Sequence, residues 1–307
     1  CARAAQHPGA FSSADVSSLC AAHTQFNAPW HTAAAQGHFD AAGFEVEWTD
    51  FPGGTGAMTN ALRAGEIDIA LALTEGLVAD LHLRETTAYK LLGTYVRSPL
   101  TWGVHVSADS DRHGMDSLAD ARYAVSRMGS GSHLMACVDA HARGVDPSSL
   151  AYEIVGSLDG ARHALRIGLA DVFMWEKFTT KFLVDAGEWR RIGEVPTPWP
   201  CFSVAASARA LDGHGDKLIE LLDIVRAECA ALRADEACAK TIGSMYAQHE
   251  EDVVEWLGGV EWSCRPVVSH ATLDEVMGAL VEANVLARDK LLPPADLCAS
   301  LCEDGSP

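Results

Sequence analysis

FPGGTGAMTNALRAGEIDIALALTEG, residues 51–76, sets out in order a strand end, a glycine loop, a helix, a second strand and a second loop. Gly53, Gly54 and Gly56 let backbone N–H groups approach a ligand closely, and a helix starting near Ala57 aims the positive end of its dipole at the same place. Residues 67–73 are apolar enough for a buried parallel strand that ends at Thr74, Glu75 and Gly76. Ligands of open α/β sheets sit beyond the carboxyl ends of the strands, so the pattern predicts that both loops face one small-molecule pocket.

Working outward, the first 22 residues are small and polar and read as an extension, with order expected from His23. Residues 29–36 read as a loop opening a helix and residues 44–48 as an alternating strand. A helix is expected over 77–83, then strands over 89–95 and 102–106, the second crossing into another lobe. There the β-α logic repeats: a strand at 123–125, the loop SRMGSGS, a helix over 133–142, and strands near 152–155 and 171–175. TPWPCFSVAAS, residues 197–207, suits a strand returning to the first lobe. These two crossings predict a discontinuous lobe one of 23–104 and 205–307, and a lobe two of 105–204. The remainder is mostly helical, with Thr272 and Glu275 in capping-box spacing.

A chain of 307 residues, 48% hydrophobic and 21% charged, is long enough for two lobes with their own cores. No apolar run reaches the roughly 18 to 20 residues that span a bilayer. No basic-then-apolar signal segment precedes the first expected element, so any targeting peptide is expected to have been removed or left out. The 23 Lys and Arg against 42 Asp and Glu give a formal charge of -19, which opposes nucleic acid and anionic membrane surfaces as partners. Nine scattered cysteines match no common zinc module; Cys298 and Cys302 are the one close pair, as a bridge or as thiols sharing a helix face. His105 and His113, like His133 and His141, are eight apart, which does not stack two imidazoles on one helix face, and no metal site is expected. GxSxG, HExxH and the phosphate-binding P-loop are all absent.

PWHTAAAQGHFDAAGFEVEW, the opening stretch, YKLLGTYVRSPLTWGV, AVSRMGSGSHLM, ADVFMWEKFTTK and RRIGEVPTPWPCF together resemble the type II periplasmic-binding-protein fold. More narrowly they are similar to the branch of sulfonate, taurine, nitrate and thiamine-pyrimidine-precursor binding proteins, with its stand-alone fungal and bacterial members. The resemblance covers roughly residues 24 to 295. It implies two α/β lobes joined by hinge strands that close on a small molecule. It also implies binding residues: Trp30, Gly54, Thr55, Gly56, Thr74 and Glu75 from lobe one, and Ser130, Gly131, Ser132, Trp175 and Glu176 from lobe two.

Each of these residues also has a plainer reading. GSGS at 129–132 suits an anion cradle at a helix start, or simply an N-cap, and Arg127 could pair with an anionic ligand or a surface acid. Glu75, between a buried strand and a glycine, suits a ligand amine or a helix-dipole carboxylate. Trp175 and Glu176 suit a stacked flat ligand and its orienting acid, or a core tryptophan; Trp199, between two prolines, suits hinge packing.

The resulting expectation is a solute-binding protein that captures a small polar or zwitterionic metabolite between two lobes without catalysis, with no cofactor and no metal. Its partners would be the small-molecule ligand and an ABC-type permease or a larger assembly. Two other readings stand beside it: a structural or regulatory subunit that retains the fold, and an enzyme similar to the thiamine-pyrimidine synthases, which consume pyridoxal phosphate and a histidine of their own. Those enzymes carry a dense cysteine motif that this chain lacks, and here Lys177 and His31 are the nearest candidates for their lysine and histidine.

Overall fold

Leu19, Cys20 and Ala21 are fully buried at the end of strand β1 (Asp15–Ala21), which lies inside a sheet between two parallel neighbours. The expected extension over 1–22 is therefore corrected for residues 15–21, the rest of that range lying outside the described residues. DVSSLCA is a core strand whose small residues give neither an apolar run nor a clean alternation, the two signals by which strands are recognised. The computed structural model describes residues 15–21 and 24–306, and the expected start of order at His23, like the expectation for Cys1, lies outside them.

From β1 the chain continues through α1 (Ala28–Ala35), α2 (His38–Ala41), β2 (Phe44–Asp50), α3 (Thr55–Ala64), β3 (Ile69–Leu73), α4 (Thr74–Leu83) and β4 (Tyr89–Val96). It then crosses to β5 (Thr101–Ser107), β6 (Arg122–Val125), α5 (Gly131–Ala142), β7 (Ala151–Ile154), α6 (Leu158–Arg166), β8 (Val172–Glu176), α7 (Lys181–Asp185) and β9 (Trp189–Pro196). It crosses back to β10 (Phe202–Ser207) and runs through α8 (Ala208–Ala234), α9 (Cys238–Tyr246), α10 (Glu250–Gly259), β11 (Trp262–Arg265), β12 (Val267–Val268), α11 (His270–Glu282), α12 (Pro294–Leu297) and β13 (Glu303–Asp304). One sheet has the order β11-β4-β10-β3-β1-β2 and the other β7-β6-β8-β5-β9, while β12 and β13 form a short ribbon. In the six-stranded sheet β1, β2 and β3 run parallel, and β10 returns antiparallel between β3 and β4. In the five-stranded sheet β6, β7 and β8 run parallel, and β5 is antiparallel to β8 and β9. Because β5 begins at Thr101 and β10 at Phe202, the crossings are residues 97–100 and 197–201, a few positions before the boundaries expected at 104 and 204.

Two local expectations change for stated reasons. Thr74, Glu75 and Gly76 are the first turn of α4 rather than a loop; an acid in the first turn suits the helix dipole, and Gly76 lets α3 approach, since a Cβ there would stand 2.6 Å from the Thr55 Cγ2. The cap of α11 is Ser269, whose side chain accepts from the Thr272 N–H, so Thr272 and Glu275 are inside the helix instead of forming its capping box. Cys298 and Cys302 are unbridged, half-buried thiols. No helix of the described residues is long and apolar enough to cross a membrane.

The two crossings are fastened to each other. The Leu100 N–H donates to the Thr197 Oγ1 at 2.9 Å, the Thr197 N–H donates to the Leu100 carbonyl at 2.9 Å, and the Cys201 N–H donates to the Ser98 carbonyl at 3.2 Å. The Thr197 hydroxyl in turn donates to the Trp199 carbonyl at 3.0 Å, in a place where Thr197 is buried. Thr197→Val keeps the shape and strands a buried N–H and a buried carbonyl, so it is expected to lower stability by about 2 kcal/mol in urea unfolding. A loss under about 0.5 kcal/mol would show that the tie is not structural.

Candidate functional site

Strand β6 ends at Val125, and the chain turns through residues 126–130 into α5, whose first-turn N–H groups have no carbonyl one helical turn earlier to bond. Ser130 occupies the N-cap position in extended geometry, yet its side chain does not cap the helix. Its hydroxyl bonds the Ser132 hydroxyl at 3.0 Å, and the Ser132 Oγ accepts the Ser126 N–H at 3.2 Å. The serines thus brace the loop and leave the helix end open. Gly131 has to be a glycine, because a Cβ would collide with Leu73 and reach within 2.8 Å of the Trp102 ring.

This helix end forms one side of a cavity of about 90 Å³ lying between the two sheets. Arg127 lies on the same side. Its guanidinium donates to the Gly53 carbonyl, and burial lowers its basicity somewhat, opposed by the charge of Asp80. Among the described residues no carboxylate lies within ion-pair distance of Arg127. From the six-stranded side the loop before α3 contributes Gly53, Gly54 and Thr55. Gly54, at φ 62°, makes the turn that an L side chain would strain. The Thr55 Oγ1 accepts the Leu73 N–H at 3.1 Å and locks loop to strand.

The remaining walls are apolar or already satisfied. Met58, Leu73, Leu100, Trp102 and Phe202 line one side, and the Trp102 Nε1 is buried without a protein acceptor. Thr24, Trp175, Glu176 and Thr179 complete the lining, Glu176 being the cross-strand neighbour of Trp102. Trp175 stacks on Phe173 with centroids 5.3 Å apart at 18°. The Glu176 carboxylate accepts the Phe178 N–H at 3.1 Å, the Thr179 N–H and hydroxyl each at 2.7 Å, and the Gln25 amide at 3.2 Å. Burial still raises its pKa, against the pull of those bonds. Glu176 holds the turn after β8, and its oxygens are already bonded.

Of the residues singled out in the sequence, Gly54, Thr55, Ser130, Gly131, Ser132, Trp175 and Glu176 come together around the cavity. Four do not line it. Trp30 is packed in the core against Phe39 and Trp48. Gly56 leaves room for Arg127, whose Nε would stand 2.5 Å from a Cβ there. Thr74 bonds the Ser203 hydroxyl at 2.9 Å, and Glu75 accepts from the Trp199 indole at 3.0 Å, both fully inside the protein. The start of α4 as a helix turned these two toward β10 and the second crossing. Thr24, Met58, Leu73, Leu100, Trp102, Ser126, Thr179 and Phe202 are the lining residues that sequence reasoning did not single out; Met58 sits inside α3, and the others lie at strand ends, the loops after them or the crossings. Among the described residues no group of three or more His, Cys, Asp or Glu could hold a metal ion.

Comparison with known proteins places this geometry. The model of the Ca3427-like periplasmic-binding-protein (PBP) family matches residues 102–195. The structure of the Candida albicans CA3427 gene product, described as having the generic periplasmic binding protein fold, is 27% identical and superposes with a TM-score of 0.85 over 97% of this chain and 99% of that one. The alkanesulfonate-binding protein SsuA of Xanthomonas axonopodis pv. citri, bound to MOPS, is 16% identical with a TM-score of 0.76 over 94% of this chain and 99% of its own. The periplasmic aliphatic sulphonate binding protein SsuA of Escherichia coli is 14% identical with a TM-score of 0.71 over 94% and 98%. No curated protein matches the sequence.

Glu75 gives the region beside the cavity a pH signature. Burial pushes its pKa from 4.5 up to about 7, the Trp199 hydrogen bond opposing, and the Glu75 Oε1 has no partner. The unfolded chain releases this proton near 4.5, whereas the folded chain holds it to about 7, so the contribution is full below 4.5 and is lost as pH rises through 7. Glu75→Gln keeps an acceptor for Trp199 and removes the buried charge. Relative to the parent, the variant is expected to gain on the order of 3 kcal/mol of stability between pH 4.5 and pH 8 in parallel unfolding titrations. A stability difference independent of pH would contradict the assignment.

Proposed function

We propose that this chain, which has the periplasmic-binding-protein fold, captures a small oxyanion-bearing molecule with an apolar body in the cavity between its two sheets. The observation that carries the reading is the pairing of the open α5 N-terminus with Arg127, a guanidinium with no carboxylate within ion-pair distance among the described residues, at one end of a cavity whose other walls are largely apolar. Helix N–H groups and a guanidinium favour sulfonate, carboxylate or phosphonate oxygens, and they act more strongly where water is excluded. Trp102 and Trp175 supply flat faces for the body of the ligand, and the Trp102 Nε1 is one further donor. The binding proteins among its structural neighbours, two of them sulfonate-binding, support a ligand-binding role.

The zwitterionic part of the expectation loses its support. Glu75 is bonded to Trp199 away from the cavity and Glu176 is occupied by four donors, so neither is available to a ligand amine. An enzyme using a lysine Schiff base fits poorly as well, since Lys177 is engaged by Glu194 at 3.4 Å and Glu255 at 3.0 Å and does not line the cavity. His31 packs against the Trp48 ring with centroids 4.4 Å apart, also away from it. The chemistry supported is recognition, with closure of the two bodies about the tied crossings as the motion that would admit and retain the ligand.

Calorimetry with ethanesulfonate, propionate and methylphosphonate tests the reading. At least one anion is expected to bind saturably, and Arg127→Gln is expected to weaken it by about 10- to 100-fold through loss of charge-assisted hydrogen bonds. Binding of small amines with silence toward every anion would overturn it.

A further inference from the structure

Next to the anion cavity lies a second, larger chamber of about 420 Å³, and the two share Thr24 and Thr179 in their walls. The inner cavity, at about 90 Å³, is below the roughly 300 to 1,000 Å³ of ordinary small-molecule sites, whereas the two joined reach that range. A smaller cavity of about 140 Å³ also meets the inner one, at Glu176, but the outer chamber shares more of its wall and offers the most room for the rest of a ligand whose headgroup fills the inner cavity.

The outer chamber is built from both bodies. Leu158, Phe178 and Phe182 come from the five-stranded side, and Tyr246 and His249 from the turn between α9 and α10. Its polar groups are largely spent on one another. Lys181 is bonded to Asp185 at 2.7 Å and lies 3.4 Å from Asp252, so the lysine is already shared between two acids. The Gln248 amide donates to the Gln25 Oε1 at 3.3 Å, and the Gln25 amide donates to Glu176 at 3.2 Å. Thr24 and Thr179 at the neck also have their hydroxyls engaged, by Gln25 and Glu176. What remains unoccupied is ring surface: Phe182 is 52% exposed at the wall of the chamber.

We propose that the outer chamber is a second subsite that takes a flat, apolar distal group of the same ligand, making that ligand an anion joined by a short linker to an aromatic or heteroaromatic ring. The proposal rests on the anion reading of the inner cavity. The spent charges at the rim argue against a charged distal group, and the exposed Phe182 ring gives a planar one a surface to cover.

Calorimetric titration of the whole chain with ethanesulfonate and with 2-phenylethane-, 3-phenylpropane- and 4-phenylbutanesulfonate separates the two readings. The best phenylalkanesulfonate is expected to bind at least about tenfold more tightly than ethanesulfonate, as burial of a ring requires. Phe182→Ala, a change at an exposed position, is expected to erase most of that gain and leave ethanesulfonate affinity within about twofold, and Leu158→Ala to act in the same direction. Ethanesulfonate binding with no gain from the ring, or a gain that survives both substitutions, overturns the subsite and leaves the inner site standing. Silence toward all four sulfonates removes the sulfonate form of the inner-site reading and the subsite with it.

Discussion

The first turn of α5 carries N–H groups that no helical carbonyl can reach, and Ser130, the residue in position to cap them, turns its hydroxyl to Ser132 instead. Much of the site's construction follows from keeping that helix end open and enclosed. Gly131 is required because Leu73 and Trp102 close over it from the six-stranded side and the first strand after the crossing. Gly56 is required because Arg127 is seated against it, and Gly54 because the α3 loop must turn back to meet the guanidinium. Helix N–H groups beneath apolar side chains favour an anion as their partner.

The overall charge of -19 opposes anion capture, so local and global electrostatics disagree in sign. Magnitude decides between them. Exposed acids more than about 8 Å away are largely screened at physiological salt, whereas a guanidinium and helix N–H groups in contact with a ligand inside the protein are not. The acidic surface should slow the approach of an anion more than it weakens the bound state. The crossings are tied as well: residues 97–100 and 197–201 are cross-bonded at Thr197, and Trp199 is held to α4 by Glu75, so the chain between the sheets is anchored to a buried carboxyl.

The β-α-β order, the two crossings and the GSGS helix start were legible because each is carried by local sequence: apolar runs, glycine loops, and a proline-rich stretch before an apolar one. Three things were not. Strand β1 escaped because a central strand of small residues has no periodicity to detect. Thr74 and Glu75 were read as loop because the helix start, set by packing of Gly76 on Thr55, is a tertiary fact. Trp102, Leu100 and Phe202 were missed because they become neighbours only when the crossings bring the two sheets together, and an aromatic at a strand end looks the same whether it faces a core or a cavity.

Backbone amide chemical shifts of the Gly131 and Ser132 N–H groups, followed by heteronuclear NMR during addition of ethanesulfonate, test the central claim most directly. The account predicts that these two amides shift downfield saturably as they bond the sulfonate oxygens, with the Trp102 indole N–H responding over the same range. Amides of α5 that stay unmoved while the anion saturates resonances elsewhere would contradict it.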